Sequence, residues 1–131
     1  MSATALEAGT PAAGDGPQLP RRAWVEQIMG MPISLHVRGE AAYSDEVAGA
    51  VELLMADLRE VEAIFSTYRA DSQISRIQRG ELTLEDADVK VRQVEALCHT
   101  ALERTDGWFD AWGCVPGMPG VFDPTGLVKT W

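Results

Sequence analysis

Ser44-Asp-Glu-Val-Ala-Gly-Ala-Val-Glu-Leu-Leu-Met-Ala-Asp-Leu-Arg-Glu-Val-Glu-Ala-Ile-Phe65 decides the fold. Val47, Val51, Leu54, Leu58, Val61 and Phe65 recur at steps of four and three, the spacing of one face of a helix. The stretch therefore predicts an amphipathic helix of about five turns buried along one stripe. Ser44 or Asp45 supplies an N-cap, and Asp45 and Glu46 suit the positive end of the helix dipole. The remaining acids, Glu52, Asp57, Glu60 and Glu62, are scattered, which reads as a solvated face and not as a carboxylate metal site.

Upstream of this helix, Met31 to Arg38 alternates strictly, with Ile33, Leu35 and Val37 on one face and Ser34, His36 and Arg38 on the other. That is a strand with one buried face, and it makes His36 a solvated strand histidine. Ala23 to Met29 reads as a first strand. Gly30 bends the chain between them, giving an antiparallel pair or one long bent strand. Residues 1–20 are rich in Ala, Gly, Pro and Thr and offer almost no large apolar side chain, so they are expected to form a disordered tail, leaving 21–131 as the folded part.

Downstream lies Phe65-Ser-Thr-Tyr-Arg-Ala-Asp-Ser-Gln-Ile-Ser-Arg76, where Tyr68 stands among residues that bond backbone groups in turns and caps. Ser72 is placed to cap a short helical turn through Ile74 and Ile77. Two readings are open: an ordered loop whose Tyr68 closes the helix end, or an aromatic wall for a planar ligand. After Gly80, Glu81 to Leu84 reads as a short edge strand. Asp86 or Asp88 caps a second helix whose stripe is Val91, Val94, Leu97, Ala101 and Leu102. Cys98 lies near that stripe as a small core hydrophobe, and His99 lies off it, exposed. Gly107 ends the helix in the left-handed region. Trp108, Phe109 and Trp112 then form an aromatic cluster that suits either a core or a cofactor box. Glycine and proline exclude a regular element until Val121 and Phe122. Asp123-Pro-Thr-Gly126 is a tight turn, and Leu127 to Trp131 begins a helix carrying Lys129, whose start suits a phosphate. The fold class is α+β, a small, mostly antiparallel sheet with two long amphipathic helices.

A chain of 131 residues suits one domain. A net charge of −9 argues against nucleic acid and anionic membrane as partners. No stretch approaches the ~20 apolar residues of a membrane span. The N-terminus lacks the basic start and apolar run of a signal peptide, so a cytoplasmic location is expected. Cys98 and Cys114 have no ligand-like spacing and are expected to be reduced.

Several stretches agree on one family. Met29-Gly30, Phe65-Ser-Thr-Tyr68 with Asp71-Ser72, Asp106-Gly-Trp-Phe-Asp110 and Asp123-Pro-Thr-Gly-Leu-Val-Lys129 come in this order. Together they resemble the FAD:protein FMN transferases of the ApbE type. The resemblance runs from Trp24 to the last residue. It implies a flavin site and a Mg²⁺-dependent phosphoryl transfer, in which FMN from FAD is joined to a threonine of a target flavoprotein. It assigns FAD contacts to Met29, Tyr68, Trp108, Phe109, Asp110, Asp123 and Lys129, and a backbone carbonyl toward Mg²⁺ to Gly126. No catalytic residue is assigned. Met31 stands where threonine usually follows Met-Gly, and Thr130 where glycine usually follows the lysine. Members of the family are longer, so the chain is expected to be the N-terminal part of such a domain, the remaining Mg²⁺ ligands lying in an absent C-terminal half. The alternatives are an FAD-binding module without transfer activity and a decayed fragment that binds nothing.

Overall fold

The computed structural model describes residues 4–6 and 18–131. The element order is β1 (Thr4–Leu6), β2 (Arg21–Ile28), β3 (Met31–Arg38), α1 (Asp45–Phe65), α2 (Gln73–Gln78), α3 (Val89–Arg104) and α4 (Thr125–Val128). This is the expected α+β class, with an antiparallel sheet and two long helices. The residues fall into two compact units, 1–60 and 61–131, with α1 running through the boundary.

In the first unit the sheet order is β1-β2-β3, all antiparallel. Met29 and Gly30 both have positive φ, 57° and 72°, which makes the β2–β3 connection a two-residue type I′ hairpin. Its twist matches that of the strands, so Gly30 folds the chain back and does not merely bend one strand. The register pairs Trp24 with Leu35, Glu26 with Ile33 and Arg22 with Val37. These residues share the face that packs on α1: Trp24, Ile28, Val51 and Met55 form the buried cluster, with Met29, Ile33, Leu35, Val37, Val47 and Leu58 against it. Met55 is fully buried while Leu54 is 43 % exposed. The predicted stripe is thus rotated by one residue at its centre. Glu26 sits on this apolar face and pairs with Arg59 of α1 at 3.1 Å.

Within the segment expected to be a disordered tail, Thr4–Leu6 pair with Ala23 to Val25, a departure from that expectation. Main-chain pairing on the edge of β2 needs no large side chain, which is why composition did not reveal it. The rest of that expectation, at residues 1–3 and 7–17, lies outside the described residues.

In the second unit Ile64, Phe65, Ile74, Val91, Val94, Cys98, Ala111, Phe122 and Val128 are buried. Asp88 caps α3, accepting from Lys90 N at 2.8 Å. Cys98, fully buried, takes the core position expected of Leu97, which is 41 % exposed. Glu81 to Leu84 is not a strand but a run of bends and turns. Local bonds hold it: Arg79 donates to both Glu81 carboxylate oxygens, at 3.0 and 2.9 Å, and Glu81 N donates to Arg76 O. Among the described residues no strand pairs with it to reward the apolar alternation of Leu82 and Leu84.

Candidate functional site

The loop between α1 and α2 is stitched by hydroxyls. Ser66 Oγ accepts from the N–H groups of Tyr68 and Arg69, both at 3.3 Å. Ser72 Oγ donates to Ser66 O and accepts from Ser75 N at 3.1 Å, capping α2 as its position predicts. Ser75 Oγ donates to the same Ser66 carbonyl at 3.3 Å. Among the described residues, Ser72 and Ser75 are the buried polar ones. Buried hydroxyls left without partners would each cost about 1–3 kcal/mol, so the network fixes one loop conformation. At its crest Tyr68 is 91 % exposed, with Arg69 and Asp71 paired beside it at 3.3 Å. The Arg69 guanidinium, bonded to Asp71, holds that carboxyl below its ordinary value. Tyr68 therefore does not close the helix end, because it is not packed on anything. Phe65 does that, buried and edge-on to Trp131 at 6.0 Å.

The second group follows α3. Asp106 N bonds Glu103 O and Gly107 N bonds Leu102 O, a paired helix-end motif in which Asp106 takes the left-handed position at φ 52°. The glycine expected there comes one residue later and is also left-handed, at φ 83°. Thr105 Oγ1 donates to Ala101 O and accepts from Phe109 N, both at 2.8 Å, which turns the chain sharply after the helix. Trp108 is left 93 % exposed, while Phe109 is partly buried with its Cε2 3.5 Å from where a Cβ on Gly126 would stand.

Asp110 and Asp123 both hold turns. Asp110 Oδ1 accepts from Trp112 N at 2.9 Å. Its Oδ2 fills the space a side chain at Gly113 would occupy, 2.6 Å from an added Cβ. Asp123 Oδ1 accepts from Thr125 N at 3.0 Å and Thr125 Oγ1 at 2.7 Å. The Cys114 thiol lies between these segments, 3.8 Å from Ala111 O and 3.6 Å from Asp123 O. Burial, then the Asp123 and Asp110 charges, push its thiol up. Asp123 N donates to Ala111 O and Gly120 N to Trp112 O, both at 2.8 Å, so the glycine-rich stretch is closed upon itself. Gln78 Nε2 donates to Phe122 O at 2.8 Å and ties α2 to it.

Of the expected contacts, Phe109, Asp110, Asp123 and Gly126 are thus brought into one connected loop system of the second unit. Lys129 is exposed at the C-cap of α4, not at a helix start, so no row of free helix N–H groups stands beside it. Thr130 Oγ1 donates to Leu127 O at 2.9 Å and occupies the helix end where a glycine was the usual residue. Met29 belongs to the first unit and packs on its core. The sequence reading missed a ring stack, with His99 on Trp112 at 4.3 Å and Trp112 on Phe122 at 5.4 Å. His99 is exposed as expected, and its Nε2 meets Glu95 Oε1 at 2.8 Å. The i, i+4 spacing of Glu95 and His99 was the available signal. Among the described residues no group of three or more His, Cys, Asp or Glu is arranged to hold a metal ion. None of their helices is long and apolar enough to cross a membrane. In comparison with known proteins, neither the curated proteins nor the solved structures gave a match. The family model that matches, over residues 29–112, is that of the ApbE family.

Proposed function

The chain belongs to the ApbE family, and from that footing we propose that it is a flavin transferase that takes FMN from FAD to a threonine of a target flavoprotein. The observation that carries this reading is Tyr68, an aromatic ring left 91 % exposed on a loop fixed by buried serine hydroxyls. A side chain in that position contributes little to folding and much to stacking on a planar ring. Trp108, equally bare at the end of α3, is a second face for an aromatic ligand. Asp110 and Asp123 shape the glycine-rich turns, and the exposed Lys129 ammonium is a point charge for a phosphate. Phosphoryl transfer draws mainly on positioning and charge neutralisation, which are the roles open to these residues.

Magnesium is the weaker part of the fit. The Gly126 carbonyl is one oxygen donor, and a Mg²⁺ ion takes near-octahedral oxygen coordination. The described carboxylates of Asp110 and Asp123 are already engaged in turns. No step of the reaction is therefore assigned to a metal held by these residues alone. The same observation favours the second reading, an FAD-binding module without transfer activity.

Two measurements separate the readings. FAD titrated into the protein should lose fluorescence. Tyr68→Ala should weaken that binding about 2- to 12-fold, the 0.5–1.5 kcal/mol of an aromatic pair, without lowering the melting temperature. Equal quenching by every folded variant would defeat the flavin assignment. Covalent flavin fluorescence on a co-incubated flavoprotein marks a transferase, and binding without it marks the module.

A further inference from the structure

The sheet face turned away from α1 carries an arrangement with no part in the flavin reading. Arg21 of β2 stands directly opposite Arg38 of β3, with His36 next on the same face of β3. Like charges directly opposite one another destabilise a strand pair. Both arginines are exposed, and among the described residues no carboxylate forms an ion pair with either. A chain of net charge −9 thus keeps an unrelieved basic pair on one face of its sheet.

Among the described residues the same stretch is a sheet edge, because β3 is the last strand of the order. A two-residue hairpin makes its closing pair, Ile28 and Met31, exchange both backbone bonds. Alternation from that pair turns the N–H groups of Ser34, His36 and Arg38 toward the open side. Pro32 also falls on that side, so its missing N–H costs the hairpin no bond. Among the described residues no main-chain partner meets these N–H groups. The edge thus offers donors at every second residue, beginning after Pro32 and ending at the basic pair.

We propose that the open edge of β3 is a docking strand for an extended acidic segment of a partner protein. The segment adds as a further strand, its main chain accepting from Ser34, His36 and Arg38, while its carboxylates on the outer face meet Arg38 and, from the adjoining strand, Arg21. Charge selects this occupant over two others. A second copy pairing β3 with β3 would bring further arginines to the same face, and a nucleic acid would meet the acidic remainder of the chain.

The probe is a fluorescein-labelled peptide of alternating Glu and Val, with a Lys–Val peptide as its control. The Glu–Val peptide should bind the full chain and the Lys–Val peptide should not, with affinity falling as salt rises from about 50 to about 500 mM. The double variant Arg21→Glu, Arg38→Glu should lose about tenfold or more in affinity while keeping its circular dichroism. His36→Pro removes an outward N–H alone and should do the same, whereas Arg38→Lys should retain binding. The proposal is overturned if the Glu–Val peptide fails to bind, or if it binds the charge-reversed protein equally well. It is also overturned by a dimer that His36→Pro dissolves, or by tighter binding of duplex DNA than of the peptide.

Discussion

Ser72 and Tyr68 lie four residues apart and have opposite duties. Ser72 is fully buried, donates to Ser66 O and caps α2. Ser72→Ala removes a cap and leaves the half-buried Ser66 carbonyl with only the longer bond from Ser75 Oγ, so it should cost about 1–2 kcal/mol in urea unfolding. Tyr68→Ala should stay within about 0.5 kcal/mol, as surface changes do. If the two costs were similar, the loop would not be organised as described. Gly113 shows the same economy from the other side: a methyl there meets Asp110 Oδ2 at 2.6 Å, so any side chain at this position must displace the Asp110 carboxylate.

At the scale of elements, α1 tests how far periodicity reaches. Met55 is fully buried and Leu54 is 43 % exposed. Met55→Ala should therefore cost about 2–5 kcal/mol and Leu54→Ala less than about 1 kcal/mol, read from denaturation midpoints. The reverse order would restore the stripe drawn from spacing alone. Adjacent Leu53, Leu54 and Met55 are all apolar, so spacing marks the helix but leaves its rotation open by one residue. The hairpin was legible because alternation and a Met-Gly break coincide. The strand assigned to Glu81–Leu84 had alternation without a partner, and pairing is a tertiary fact. At the site, residue types marked Tyr68 and the Asp-Gly turn. They could not reveal that Lys129 ends a helix or that His99 stacks on Trp112, because both depend on where separate segments meet.

For the molecule as a whole, stability at alkaline pH should follow a buried thiol. Burial, then the Glu95 and Cys114 charges, raise Cys98 from 9.0 to about 11. A folded value above the unfolded one means the contribution is fully present below pH 9.0 and is lost as pH rises toward about 11. Unfolding free energies measured across that window should fall more steeply for the wild type than for Cys98→Ala. Parallel curves would show that the thiol is not sequestered. The exposed Cys114 should meanwhile be the faster of the two to react with a disulfide reagent.

The serine stitching also has a consequence in time. Surface loops ordinarily exchange their amide hydrogens with solvent almost as fast as an unfolded chain. Here the amides of Tyr68 and Arg69 are tied to Ser66 Oγ, that of Ser72 to Arg69 O, and that of Ser75 to Ser72 Oγ. Deuterium uptake there should be slow, and Ser72→Ala should quicken it at Tyr68 and Arg69, residues the substitution does not touch. An almost wholly bare aromatic ring would then rest on some of the slowest backbone of the second unit, its shape set before any ligand arrives.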